Sequence, residues 1–253
     1  MYNFFRNPQE SHEHSLETLE MLYRYDDFME SVGRVLDLGC GPETLDLQWW
    51  ATRTTRDDEP VPLNIQCMGI DLCSGISAEA RQAKIAYQSK DIETPIEVKR
   101  KFDLLWCHDT FQHMVNPIQT LSNWWHIAED DAMLALILPQ TTNIEFNHQA
   151  FDLPSGWYYN HTMVSLIQML AVSGWDCRAG FFKKRPNDPW LHAVVYKSHH
   201  GPRDPRQTSW YALAEQNLLP DTAVESLNKF GMVRQRDLVL PWLDKSLSWL
   251  GEQ

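Results

Sequence analysis

The sequence has no Cys-x-x-Cys pair, and its five cysteines, Cys40, Cys67, Cys73, Cys107 and Cys177, are an odd number spread along the chain. A disulfide framework or a cysteine-built zinc site is therefore not expected, no metal ligand set stands out, and a reducing compartment fits best. No apolar run approaches the roughly 20 residues that a membrane span requires. The start, "MYNFFRNPQESHEH", lacks the basic start and long apolar stretch of a signal peptide. A cytoplasmic protein without a membrane partner is the expectation. Positive charge is scarce too: 22 Lys and Arg stand against 34 Asp and Glu, a formal net charge of −12. That disfavours a broad grip on nucleic acid, which needs a basic face, although it leaves room for a local patch. "VKRK" (98–101) and "FFKKRP" (181–186) are the basic concentrations, and both read as solvated element ends.

What is present suits a globular fold. At 253 residues and 43% hydrophobic content the chain fits one large domain, or a domain with an appendage, and can bury a substantial core. Asn7, Pro8 and Glu10 have the spacing of an N-cap, a first-turn proline and a capping box. Leu16, Leu19, Leu22 and Tyr23 then share one face, so a helix is expected to about Ser31. "VGRVLDLG", "IQCMGIDL", "IAYQSKDI", "FDLLWCHD" and "AMLALILPQ" read as strands, the fourth apolar enough to be buried on both faces. "TLDLQWWATR", "SAEARQAKIAYQ" and "MVNPIQTLSNWWHIAE" read as helices between them, and "TTRDDEPVPLN" (54–64) as loop. "HTMVSLIQMLAVSG" is a further helix ended by Gly174, before two last strands, "WDCRAGFF" and "WLHAVVYKS", with no helix between them. This alternation predicts an α/β fold: a doubly wound, mostly parallel seven-stranded sheet with a C-terminal antiparallel hairpin.

Beyond Ser198, the turn-rich linker "HHGPRDPRQ" leads to "SWYALAEQ", "DTAVESLNKF" and "LPWLDKSLSWL", read as three helices; Thr222 and Glu225 have capping-box spacing. The expected division is an N-terminal helical segment (1–31), the sheet domain (32–198) and a helical C-terminal extension (199–253). Trp210, Tyr211, Trp242 and Trp249 need burial against the main domain or a second subunit, which makes the extension the candidate surface for a homodimer.

In "RVLDLGCGPE" (34–43) an apolar run carries Asp37 and ends at Gly39, Cys40 and Gly41. Ligands of open parallel sheets sit outside the carboxyl ends of the strands, where strand order reverses, and glycines there let the backbone come close. A dinucleotide fingerprint would need a third glycine where Thr44 stands and an acidic residue about 20 positions further on. Neither is met, since Asp71 comes 30 positions after Gly41.

The set resembles the class I S-adenosylmethionine-dependent methyltransferases over about residues 30–198. "VLDLGCGPE" resembles the first motif, whose glycine loop faces the methionine part of the cofactor. "GIDL" resembles the acidic end of the second strand, which implies that Asp71, with Leu72 beside it, takes the ribose hydroxyls. "SKDIETP" resembles the segment after the third strand, which implies Asp91 at the adenine amino group and Ile92 against the ring. "FDLLWCHDTFQHM" resembles the fourth-strand motif, with the backbone of Cys107 and His108 near the cofactor. In two places the chain departs from the pattern: "AEDDAML" stands where the family has a Lys-Pro-Gly-Gly turn, and Glu43 where the loop often has glycine. The resemblance implies S-adenosylmethionine as cofactor and methyl transfer by in-line displacement.

Such a reaction mainly needs acceptor, methyl and sulfur held in line, an effect worth roughly 7–11 kcal/mol of barrier. A base is needed only if the acceptor must lose a proton. His113, just after the fourth strand, is the expected base, with His108 behind it; His12, His14, His148 and His161 read as structural or exposed. Asp109 reads as an acceptor contact, as an orienter of His113, or as an N-cap for the segment at Thr110. The Asn/Asp-Pro-Pro-aromatic segment of enzymes acting on base amines, the Pro-Cys of cytosine C5 enzymes and the paired glutamates of arginine methyltransferases are all missing. A small-molecule acceptor is therefore expected ahead of an RNA or nucleic-acid component, or of a non-catalytic binding module. Most of the 11 tryptophans read as core, but Trp157, Tyr158 and Tyr159 lie where this family builds its acceptor pocket and read as its aromatic lining.

Overall fold

The computed structural model describes residues 8–56, 59–139, 158–184 and 190–249. Helix α1 (Pro8–Arg24) ends earlier than Ser31 and is followed by a one-turn α2 (Asp26–Met29). The break lets Phe28 turn into the core, edge-on to Trp50 at 6.0 Å. Asn7, expected to cap α1, lies outside the described residues. There follow β1 (Arg34–Leu38), α3 (Leu45–Ala51), β2 (Gln66–Asp71), α4 (Ala78–Gln82), β3 (Ala86–Ser89), β4 (Phe102–His108), α5 (Pro117–Ile127) and β5 (Ala128–Pro139). A helix at Met163–Val172 precedes β6 (Trp175–Lys184) and β7 (Trp190–Lys197).

These seven strands form one sheet in the order β3-β2-β1-β4-β5-β7-β6. β1 to β5 are parallel, and β7 runs antiparallel between β5 and β6. The doubly wound sheet and its closing hairpin are as expected. Strand order reverses between β1 and β4, which opens a crevice at their carboxyl ends. β4 is buried on both faces: Leu104 and Trp106 enter one core with Leu19, Leu22 and Trp50, while Leu105 and Cys107 enter the other with Leu121 and Leu170. The "AEDDAML" segment is not a separate turn. It belongs to β5 as an irregularity with Asp131 at φ 65°.

The extension differs from expectation in its last third. Helices form at Trp210–Glu215 and Asp221–Phe230, but Leu240–Pro241 and Leu247–Trp249 pair as an antiparallel hairpin. Pro241 breaks the helical pattern. Asp244 accepts from Ser246 N at 2.9 Å and Lys245 takes φ 65°, which together close the turn. The Thr222–Glu225 capping box does not form either; the Thr222 hydroxyl instead lies 3.2 Å from Val239 O and 3.1 Å from Val239 N. Leu213, Leu219, Ala223 and Leu240 join one core and Trp242 the other, so the extension docks on its own chain. Among the described residues no helix is long and apolar enough to cross a membrane.

His161 is buried against Phe111, with ring centroids 5.4 Å apart, and burial holds it down at about 4. Its neutral form is thus favoured by folding. The stability this gives is complete above about pH 6.5, its unfolded value, and is lost as pH falls through about 4. The expected loss is about 3 kcal/mol, at about 1.4 kcal/mol per unit. Urea midpoints of the wild type should therefore fall between pH 7 and 4 more steeply than those of His161→Phe.

Candidate active site

The glycine loop bends at the carboxyl end of β1, with Gly39 at φ 89° and Gly41 at φ 62°. A Cβ on Gly39 would lie 2.3 Å from the Thr110 side chain, whereas one on Gly41 would meet nothing within 4 Å. Gly39 therefore serves close packing, and Gly41 faces open space. The Thr110 hydroxyl donates to Gly39 O at 3.2 Å, which ties the end of β4 to this loop. Across β2, Asp71 accepts from Gly41 N and Cys73 N, one on each oxygen, both at 2.9 Å. The Cys73 thiol also bonds this carboxylate, and since a carboxylate offers about four acceptor positions, room for a further donor remains. Leu72 beside it is 65% exposed. Asp91 is exposed and accepts from Glu93 N at 2.9 Å; Ile92 is buried, and its carbonyl receives Trp124 Nε1 at 2.9 Å. Cys40 and Glu43 are half-buried and Cys107 is buried. Burial first, then nearby carboxylates, pushes the Cys40 thiol up, and burial pushes Cys73 up to about 12, so neither is a ready nucleophile.

Asp37 lies buried in β1, and burial, then the charges of Asp46 and Asp71, push its carboxyl well above the usual range. Folding thus favours the protonated carboxyl relative to the unfolded chain, which releases its proton near pH 3.8. Stability is lost as pH rises from that value through the raised one. Asp37→Asn should therefore raise the melting temperature near pH 7, by about 2–4 °C per kcal/mol recovered. That gain should vanish below about pH 3.8, the unfolded value. Scanning calorimetry at the two pH values checks it; an equal shift at both would overturn the assignment to Asp37.

The densest polar cluster surrounds Asp46, in the first turn of α3. Its Oδ1 meets His12 Nδ1 and receives the Ser15 hydroxyl at 2.8 Å, a hydroxyl that also lies 2.8 Å from His12 O. Its Oδ2 receives Trp106 Nε1 at 2.7 Å and meets His108 Nδ1 at 3.2 Å. Burial alone would raise this carboxyl, but the hydrogen bonds from His108 and His12 hold it below the usual carboxylate range. Asp46 is therefore an ionised, buried acceptor joining α1, α3 and β4. The His108 side chain is 7% exposed, and its Nε2 is buried with no hydrogen-bond partner among the described residues. The Trp190 ring lies 5.7 Å from the His108 ring and stacks on His14 at 4.7 Å.

His113 sits in a single 3₁₀ turn, Phe111–His113. Gln112 lies between Asp109 and His113: its Nε2 donates to Asp109 Oδ1 at 2.9 Å and lies 3.2 Å from His113 Nε2. Asp109 takes φ 51°, and Thr110 stands in the N-cap position of that turn. Tyr158 and Tyr159 reach the same rim: Tyr158 N donates to Gln112 O at 3.0 Å and the Tyr159 hydroxyl to Val115 O at 3.1 Å. Both rings are exposed. Trp157 and His148 lie outside the described residues.

Sequence reasoning missed Asp46, and it read His12 as bland. The usable signal was an acid at position 46 on the same helical face as Trp50, beside Leu47; all three are buried. No group of three or more His, Cys, Asp or Glu among the described residues could hold a metal ion. A depression of about 580 Å³ lined by Ser31, Gly33, Arg34, Gln66, Arg100 and Asp103 lies at the amino ends of β1 and β2, the wrong end of a parallel sheet for a ligand.

Comparison with known proteins agrees with this geometry. Residues 36–136 match a family described as methyltransferase domain. No curated protein matches the sequence. Similar solved structures include the 1,6-didemethyltoxoflavin-N1-methyltransferase of Burkholderia thailandensis, bound to its namesake and S-adenosylhomocysteine, at 13% identity and TM-score 0.51 over 71% of this chain and 77% of that one. The magnesium protoporphyrin IX methyltransferase of Synechocystis PCC 6803, also with S-adenosylhomocysteine, shares 15% identity at TM-score 0.53, over 78% and 89%. A methyltransferase solved with the Trm112 activator of Haloferax volcanii shares 15% identity at TM-score 0.56, over 76% and 92%.

Proposed function

We propose that residues 36–136, which match the methyltransferase-domain family, form a class I S-adenosylmethionine-dependent methyltransferase domain, and that this chain transfers a methyl group from that cofactor to a small-molecule acceptor. The observation that carries the reading is the Asp71 carboxylate. It is fixed by two backbone N–H groups and keeps acceptor capacity for a ribose hydroxyl. Gly41, with open space where a side chain would be, leaves room for the methionine part. Asp37 is a buried carboxyl that a cationic ligand would help to ionise. Leu72, Asp91, Ile92, Cys40 and the backbone at Cys107 and His108 complete the proposed cofactor surface.

When bound, the cofactor supplies an activated methyl on a positively charged sulfur. The chain supplies position. The Thr110–Gly39 bond holds the β4 end against the glycine loop and so fixes the distance between the two halves of the crevice. Tyr158 and Tyr159, at the rim with His113 and Asp109, are the proposed acceptor contacts. The net charge of −12 and the absence of nucleic-acid and arginine methyltransferase motifs favour a small acceptor. Two of the similar enzymes are named for such substrates, 1,6-didemethyltoxoflavin and magnesium protoporphyrin IX.

Thermal unfolding tests the cofactor. Saturation at about 100 times the dissociation constant adds roughly 2.7 kcal/mol, or about 5–10 °C for a chain of this size. S-adenosylmethionine and S-adenosylhomocysteine should both shift the wild type, and neither should shift Asp71→Ala. A folded wild type that shifts with neither would remove the methyltransferase reading.

A further inference from the structure

We propose that His108 is the general base of this enzyme, that Asp46 positions it, and that the acceptor is a weakly acidic hydroxyl, a phenol or enol; this rests on the methyltransferase reading above. The case starts from hydrogen-bond bookkeeping. An ionised carboxylate only accepts, so the hydrogen facing Asp46 Oδ2 belongs to His108 Nδ1. A neutral ring bonded in this way has its lone pair on Nε2. That atom is buried and has no partner among the described residues, an arrangement that leaves free energy unclaimed unless a donor arrives. An acceptor hydroxyl is such a donor.

Three features make the arrangement look built for this purpose. Asp46 already receives Trp106 Nε1, Ser15 Oγ and His12 Nδ1, so it cannot rotate away from His108 without breaking those bonds. The His108 carbonyl takes the Thr110 hydroxyl at 3.0 Å, the same hydroxyl that reaches Gly39 O at 3.2 Å, so the base stands one bridge from the glycine loop that would face the methionine part. The Trp190 ring, 5.7 Å from the imidazole and itself stacked on His14, makes the surroundings of this histidine aromatic. His113, by contrast, shares the amide of Gln112 with Asp109.

The reaction class follows from proton matching. A neutral amine attacks with its own lone pair and needs no base beforehand. A phenol, whose pKa is near 10, gives its proton to an imidazole far more readily than an alkanol does. The acceptor O–H bond breaks and its proton goes to His108 Nε2. The oxygen forms the new bond to the methyl carbon, the methyl–sulfur bond breaks, and its electron pair stays on sulfur, which becomes neutral. The resulting imidazolium is stabilised by Asp46 and returns its proton to water after product leaves.

Two measurements decide the matter. In ¹⁵N spectra of histidine-labelled protein saturated with S-adenosylhomocysteine near pH 7.5, with His108 assigned by its absence in His108→Gln, the ring should be neutral with hydrogen on Nδ1 and a bare Nε2. Asp46→Asn, which puts a donor where only acceptors serve, should move hydrogen to Nε2; if that variant does not fold, the wild-type spectrum decides alone. A cationic ring or an Nε2–H in the wild type overturns the proposal. Next, release of S-adenosylhomocysteine is followed with phenol, 4-cyanophenol and 4-nitrophenol as probes, and with benzylamine as control. The wild type should methylate the phenols. His108→Gln should lose about 10²-fold or more in kcat with phenol, which stays protonated, and far less with 4-nitrophenol, which ionises near neutral pH. Its affinity for S-adenosylmethionine should not change. Equal losses across the phenols, turnover of benzylamine alone, or no turnover of any probe by protein that binds the cofactor each overturns the assignment. Failure to bind the cofactor overturns the methyltransferase reading instead.

Discussion

One buried negative charge organises this molecule. Asp46 is an acid in a protein interior, and such a charge persists only where donors replace water. Its donors come from three places that the backbone alone would not join: His12 and Ser15 on the first helix, Trp106 within the fourth strand, and His108 at that strand's end. The same charge reaches Asp37 in β1, where it adds to burial in raising that carboxyl. Two buried carboxyls are thus shifted in opposite directions, and the one shifted down is the one that donors surround.

The sheet and the glycine loop were legible because their signals are local. Apolar runs of strand length, helical periods between them and glycines after Leu38 all act within a few residues. The Asp46–His108 contact was not legible, since its members are 62 positions apart and meet only because α3 follows β1 while β4 pairs with β1. An acid on the apolar face of a predicted helix was the trace it left. The last hairpin was misread for a different reason. Leu240 and Trp242, then Leu247 and Trp249, alternate at period two, and a short apolar segment of that kind fits a strand as well as a helix. The early end of α1 reflects tertiary override, because continuing that helix would have kept Phe28 from the core beside Trp50.

The tryptophans show that core and site are not alternatives. Trp124 and Trp175 are buried and give their N–H groups to the carbonyls of Ile92 and Leu121. Trp106 and Trp190 are equally buried, yet one donates to Asp46 and the other lies against His108 and His14. A large amphipathic ring fills volume on one side and carries direction on the other.

The contacts between the first helix and the last hairpin of the sheet also set an order of events. Thr18 on α1 meets His192 on β7, 174 positions later, and Glu17 meets Lys183, 166 positions later. A ribosome adding about 5–20 residues per second needs about 10–35 s to travel between such partners. The partner that His12 and Ser15 find in Asp46 arrives far sooner, 34 and 31 positions on. The first helix is therefore anchored in two stages, and a chain released before β6 would lack the second.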